Sequence, residues 1–267
     1  MNAQFETLQL ERRGAVAEVW LNRPDARNAM SDAMSAELPA AFSLLGKDAA
    51  VRVVVLGGRG SAFCSGADLG RMEQAGRAHG ARNRAQAMKA AKFFRQLYTF
   101  PKPTIARVHG AAFAGGMGLV CACDVVVASE AAVFCLPETR IGLVPAMISP
   151  YVTRAMGANA ARRYLLSGER FSAAEAKAMG MVHELVPQAA LDAAVERIAQ
   201  AFASCAPGAM AEAKKLLREV IGAPITAQLI SHTASVIARA RASPEAREGI
   251  AAFREKRKPA WTKSGSE

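Results

Sequence analysis

No stretch of the 267-residue sequence strings together the roughly 18 apolar residues that a membrane-spanning helix needs, so a soluble chain with no membrane partner is expected. The opening residues MNAQFETLQLERRG lack a basic segment followed by an apolar one, and also the Arg/Ser richness of a transit peptide, so a cytoplasmic location is expected. Cysteine is sparse and odd in number. Cys64, Cys121, Cys123, Cys135 and Cys205 sit mostly in apolar runs, which argues against a disulfide framework and for buried thiols in a reducing compartment. Cys121-x-Cys123 has no second ligand pair, and residues i and i+2 of a helix do not face each other, so no metal site is expected. The phosphate-binding G-x-x-x-x-G-K-[ST], the dinucleotide G-x-G-x-x-G, the nucleophile elbow G-x-S-x-G and the zinc motif H-E-x-x-H are all absent. The histidines (His79, His109, His183, His232) are dispersed and nominate no triad. No fixed-period repeat or low-complexity linker appears.

Positive charge, by contrast, is in excess: 34 Lys and Arg against 23 Asp and Glu give a net charge of +11. The basic residues are scattered, densest in FREKRKPAWTK near the C-terminus, with no aromatic-interleaved ladder or zinc-finger spacing, so nucleic acid is not the expected partner. A solvated basic surface and a phosphate-bearing small molecule both remain open.

ETLQLE and AVAEVWL alternate apolar and polar residues around Arg13-Gly14 and predict an opening β-hairpin. VRVVVLGG, TIARV and DVVVAS have the β-branched pattern of buried parallel strands. Helical spacing in SDAMSAELPAAFSLLG, which Pro39 is expected to interrupt, and in RAQAMKAAKFFRQLY makes strand and helix alternate. Beyond residue 145 no further strand is predicted. SAAEAKAMG opens with Ser172 and Glu175 at capping-box spacing, and LDAAVERIAQAFASC, GAMAEAKKLLREV and SPEAREGIAAFREK read as helices. The expected division is an α/β core over residues 1–190 and a helical C-terminal region over 191–267.

The segment AAFAGGMGLVCACD, residues 111–124, places Gly115, Gly116 and Gly118 directly ahead of an uncharged run. Each mid-element glycine costs roughly 0.5–1 kcal/mol against alanine. They therefore mark either tight helix packing or a helix N-terminus whose bare N–H groups face a ligand. With LNRPDARNAM (21–30), GSAFCSGADLG (60–70) and FCLPETRIGLVP (134–145), the segment resembles the enoyl-CoA hydratase/isomerase, or crotonase, superfamily, and the resemblance runs over essentially the whole chain.

That resemblance implies a crotonase spiral of ββα units, like that of ClpP, with a C-terminal helical trimerisation region. It also implies an acyl-CoA substrate whose coenzyme A enters as part of the substrate and not as a cofactor, and a homotrimer or dimer of trimers. By the same resemblance, Ala67 and Gly115 supply two N–H donors to an oxyanion hole, and Glu138 is the catalytic acid or base. Donors of this kind each contribute about 2.7–4 kcal/mol to the barrier when charge develops on an oxygen. Gly116 and Gly118 would let helix and ligand approach closely. Asp25, Ala26 and Arg27, with Ala67, Asp68 and Leu69, would line the coenzyme groove. Phe253 and Lys256 would reach its adenine and phosphate end, in the same or a neighbouring subunit. Asp25 stands where a basic residue is common in the family, which removes one phosphate contact. Read from its own surroundings, Glu138 is either a solvated loop residue or, between VFCLP and IGLVP, a partly buried acid of raised pKa.

The chain departs from the two-glutamate hydratases, which carry their second glutamate where this sequence has Gly118. Some relatives with a single glutamate at the Glu138 position are double-bond isomerases. The run from AGGMGLVCACD to LLSGERF is most similar to the branched-acid subgroup, the methylglutaconyl-CoA and γ-carboxygeranoyl-CoA hydratases of leucine and isoprenoid catabolism, and is also similar to the dehydratases of polyketide β-branching. Arg140 and Arg71 are the candidate cations for a distal substrate carboxylate. Three functions are carried forward: hydration of a branched or carboxylated enoyl-CoA, Δ3/Δ2-enoyl-CoA isomerisation using Glu138 alone, and a non-catalytic CoA- or RNA-binding scaffold.

Overall fold

The computed structural model describes residues 4–68, 70 and 80–262. Among these, two strands open the chain as expected, β1 (Leu8–Arg13) antiparallel to β2 (Val16–Leu21), turning through Gly14 and Ala15 rather than Arg13 and Gly14. The hairpin feeds a sheet of order β1-β2-β3-β4-β6-β9, with β3 (Val53–Gly58), β4 (Thr104–Val108), β6 (Val125–Ser129) and β9 (Glu184–Val186) all parallel to β2. A smaller sheet joins β5 (Ala111–Phe113), β7 (Val133–Cys135) and β8 (Arg170–Ser172) in the order β5-β7-β8. The strands β8 and β9 overturn the expectation of none beyond residue 145. Each is only three residues long, too short for a period of two to register.

Helix α1 (Asp32–Lys47) begins at a Ser31 cap and runs straight through Pro39. An interior proline costs about 3 kcal/mol. The same helix buries Met34, Leu38, Ala41, Phe42 and Leu45, and each large apolar side chain so buried contributes about 1.5–3 kcal/mol, which outweighs the lost hydrogen bond. Helix α2 (Gly80–Tyr98) adds Phe93, Phe94 and Leu97 to the same core, and α3 (Gly115–Ala122) crosses its centre. Helix α4 (Ser149–Ser167), which the sequence pattern did not predict, packs against α3 and bends at Gly157. The short α5 (Ala173–Ala178) has the expected capping box of Ser172 and Glu175.

The sheet has two covered faces. Ala17, Val19 and Leu21 of β2 enter the larger core with α1 to α4, whereas Val16, Val53, Val55 and Ile105 meet Leu191, Ala194, Val195 and Ala199 of α6 (Leu191–Ala203) on the other face. Helices α7 (Pro207–Val220), α8 (Ala227–Arg241) and α9 (Pro244–Arg254) follow, α9 with Ser243 as its cap. No helix among the described residues is long and apolar enough to cross a membrane.

Candidate active site

Three chain segments run side by side toward one point. Cys64 forms a parallel bridge with Ala112, its N–H donating to Ala111 O and its carbonyl accepting from Phe113 N–H. On the other side of β5, β7 pairs in parallel, Ala112 opposite Phe134 and Phe113 opposite Cys135, and Ala114 N–H donates to Cys135 O at 2.9 Å. Ala67, Gly115 and Glu138 each follow a paired residue of these segments by three positions, Cys64, Ala112 and Cys135 respectively. Contact supports this register: a Cβ built on Gly66 would lie 2.9 Å from the Cβ of Ala114, so the residues just before Ala67 and Gly115 touch.

Among the described residues neither the Ala67 nor the Gly115 N–H finds a backbone acceptor. Gly115 opens α3, where the first N–H groups have no intrahelical partner and the helix dipole favours negative charge. Ala114, its cap, is held at φ 47° and ψ −118°. Side-chain-bearing residues seldom adopt such angles, and they typically cost of order 1–3 kcal/mol. The neighbouring glycines meet protein and not open space. A Cβ on Gly116 would fall 2.5 Å from Cys64 O, and one on Gly118 would fall 2.3 Å from Ile148 Cγ2 and 2.8 Å from Phe94 Cε1. The close approach expected at these two positions is therefore between chain segments. The place of a second acid is filled by Ile148 and Phe94.

Glu138 lies in the first turn of a 3-10 segment, Pro137–Ile141, closed by Gly142 at φ 74°. It is half-buried, and its Oε2 is buried with no hydrogen-bond partner among the described residues. Burial pushes its pKa up, opposed only in part by a hydrogen bond from its own backbone. A buried carboxyl oxygen without a partner, on a group whose pKa burial has raised, is suited to exchange a proton.

The loop 22–30 braces the Ala67 segment. Asn28, fully buried, accepts from Arg23 N–H and donates to the carbonyls of Arg59 and Ala62. Arg23 pairs with Asp68 at 3.2 Å, and Ser65 N–H donates to Arg27 O. Arg27 and Ala26 thus lie beside Ser65, two residues before Ala67, and Asp25 precedes them in the same 3-10 turn. Leu69 and Arg71 lie outside the described residues. Phe253 and Lys256 sit at the end of α9, Phe253 86% exposed, and no hydrogen bond, ion pair or ring contact links either to these loops among the described residues. Arg140 donates from Nε to Ser167 O and packs on Gly168, so its guanidinium is engaged at the end of α4.

Sequence reasoning missed Ala114, Met30, Ile148 and Phe94. Nothing in an alanine announces a positive φ, and the bulk opposite Gly118 comes from α2 and from the residue before α4, 24 and 30 positions away. The thiols read more easily: Cys64, Cys121 and Cys135 are buried and Cys205 is exposed, with burial holding Cys64 and Cys121 at about 12. A separate cleft of about 380 Å³, lined in part by Trp20, Arg59, Arg107, His109 and Asp192, lies on the α6 side of the sheet. Its arginines Arg59 and Arg107 are already paired, with Glu11 and Asp192, and Ala67, Gly115 and Glu138 do not line it.

Residues 11–264 match the sequence profile of the enoyl-CoA hydratase/isomerase family. A putative enoyl-CoA hydratase of Thermus thermophilus is 39% identical over 252 residues, covering 94% of this chain and 99% of that relative. The mitochondrial enoyl-CoA hydratase of Pongo abelii is 34% identical, with 96% of this chain and 88% of that protein covered. Among solved structures, an enoyl-CoA hydratase from Shewanella pealeana superposes with a TM-score of 0.94 at 40% identity over 97% of both chains. AtuE of Pseudomonas aeruginosa gives 0.91 at 37% identity over 97% of this chain and all of its own.

Proposed function

The chain belongs to the enoyl-CoA hydratase/isomerase family, and from that premise we propose that it is an enoyl-CoA hydratase acting on a branched or carboxylated substrate, such as 3-methylglutaconyl-CoA, with Glu138 as its single working acid. The observation that carries this reading is the buried, unpartnered Oε2 of Glu138 at the end of the segments that also deliver Ala67 and Gly115. The thioester oxygen sits between the Ala67 and Gly115 N–H groups. Water adds to the β-carbon as its proton passes to the Glu138 carboxylate, and the electron pair of the double bond moves toward the thioester to give an enolate. Glu138 then returns that proton to the α-carbon. One water is consumed, and the carboxylate is restored.

The substrate class is supported by the likeness of the run from AGGMGLVCACD to LLSGERF to the branched-acid subgroup, and the absence of a second acid follows from Gly118, whose side-chain space is filled by the buried Ile148 and Phe94. The coenzyme lies along Asp25 to Arg27 and Asp68, with Phe253 and Lys256 supplied by a second copy in a trimer or dimer of trimers. Helices α7 and α8 favour such assembly, since neither fully buries an apolar residue within one chain. The missing glutamate at position 118 favours a second reading, a Δ3/Δ2 isomerase in which Glu138 carries one proton between carbons and no water is consumed.

Incubation with crotonyl-CoA, 3-methylcrotonyl-CoA, 3-methylglutaconyl-CoA and 3-enoyl-CoA substrates in H₂¹⁸O, followed by mass spectrometry, separates the two. Gain of one labelled water, greatest with a branched acyl group, is the expected result. A product of unchanged mass establishes the isomerase, and full turnover by Glu138→Gln overturns both.

A further inference from the structure

Met30 touches both halves of the proposed oxyanion pocket. Its N–H donates to Gly66 O at 2.8 Å, its carbonyl accepts from Asp68 N–H at 3.3 Å, and it forms a parallel bridge with Ala67, so its main chain grips the first donor from both sides. Its side chain reaches the second donor. The methyl carbon lies 2.0 Å from where a Cβ on Gly115 would stand, in direct contact with the Gly115 α-carbon. Any side chain at 115 would collide with it. Met30 is half-buried, and its unbranched, polarisable side chain changes shape at little cost. The main chain fixes the pocket while the thioether forms a wall that can adapt.

The geometry points to Met30 as a specificity-determining residue that sets how close the acyl group lies to Gly115 and how much room remains beside its α- and β-carbons. This rests on the reading of Ala67 and Gly115 as the thioester-binding donors. Because the backbone supplies the grip, a shortened side chain leaves the pairing with Gly66 and Asp68 intact and alters only the wall.

The test uses Met30→Ala, Met30→Val and Met30→Leu in the full chain, with kcat and KM measured separately for crotonyl-CoA and 3-methylcrotonyl-CoA. One methylene in an apolar pocket is worth about tenfold or more in discrimination. Shortening to Ala or Val is therefore expected to raise the ratio of kcat/KM for the branched over the straight substrate by about tenfold. A rise in KM for crotonyl-CoA is expected to contribute most of the change, and Leu is expected to restore the ratio to within about threefold. Met30→Val gives the same readout if Met30→Ala does not fold. An unchanged ratio, with both substrates losing activity alike, overturns the assignment and leaves Met30 a packing residue. Calorimetric titration with acetyl-CoA and isovaleryl-CoA keeps this separate from the hydratase reading. If the wild type turns over neither substrate, hydration fails, yet a shift in relative affinity for these saturated thioesters still supports Met30 as the wall, and no shift refutes it.

Discussion

At the scale of single residues, the state of Glu138 couples activity and stability to one titration. Burial raises its pKa in the folded chain, so the folded state holds the proton more tightly than the unfolded state does. Its contribution to stability is complete below the ordinary carboxylate range and is lost as pH rises through the raised value. In the proposed mechanism activity runs the opposite way, because the carboxylate form accepts a proton from water. The acid limb of kcat/KM is accordingly expected above the usual glutamate range, and Glu138→Gln should lower kcat by about a hundredfold to ten-thousandfold. The same substitution should stabilise the protein by about 1 kcal/mol at neutral pH, roughly 2 °C in melting temperature, a gain that disappears in acid. Melting curves for both proteins at several pH values check the sign. Equal melting temperatures at neutral pH, or a gain confined to acid, refute the burial argument. Gly118 gives a second test. Gly118→Glu alone drives side-chain atoms into Ile148 and Phe94 and should cost about 1–3 kcal/mol, while adding Ile148→Ala opens space for the carboxylate. The double variant should melt above Gly118→Glu alone; if it melts lower, Ile148 is not the obstacle.

Among the elements, what positions the chemistry is the parallel run of residues 64–67, 112–115 and 134–138, and this was only partly legible in the sequence. VRVVVLGG, TIARV and DVVVAS announced β3, β4 and β6 because buried parallel strands are apolar on both faces. Strands β5 and β7 span three residues each. They exist because Cys64 and Ala114 supply hydrogen-bond partners from distant parts of the chain, which no local pattern encodes. Ala67, Gly115 and Glu138 could be nominated through the family resemblance of the stretches that hold them; the only local traces were the glycines ahead of an uncharged run and the apolar runs flanking Glu138. The walls formed by Met30, Phe94 and Ile148 could not, since apolar residues look alike wherever they pack. The far end of α3 is anchored in a similar long-range way. Asp124, just beyond its Cys123 cap, accepts from Thr104 N–H and Oγ1 at 2.8 Å and from Lys214 Nζ of α7 at 2.6 Å. Lys214 is largely buried, its side chain 11% exposed, and burial lowers its pKa even with Asp124 opposing the shift. Removing one member of such a pair strands the other, at about 3–5 kcal/mol. Lys214→Ala is expected to destabilise by about that amount in urea unfolding, and Asp124→Ala/Lys214→Ala by less than the sum of the two single variants. Strict additivity would show that the pair does not tie α7 to the core.

For the whole molecule, the C-terminal helices pose a problem that one chain leaves unsolved. Helices gain most of their stability by burying an apolar face, yet α7 and α8 fully bury no apolar residue, and Leu217, Ile230 and Ile237 in them and Ile221 and Ile225 between them are 48% to 85% exposed. Contiguous apolar patches of this kind mark interaction surfaces. In the proposed assembly a second copy covers this face and the 86%-exposed Phe253, with Lys256, serves a neighbour's coenzyme groove. The wild type should then scatter light as a multiple of the 28.2 kDa chain. Ile225→Asp combined with Ile221→Asp should move it toward the monomer and weaken coenzyme A binding in parallel, although neither position lies in the loops that hold Ala67 and Gly115. Phe253→Ala should weaken that binding while leaving the mass unchanged. If the dissociated variant binds coenzyme A as tightly as the wild type, the groove is complete within one chain and the exposed face serves some other partner. If the wild type itself runs at 28.2 kDa, the apolar face of α7 and α8 is not an interface between copies at all.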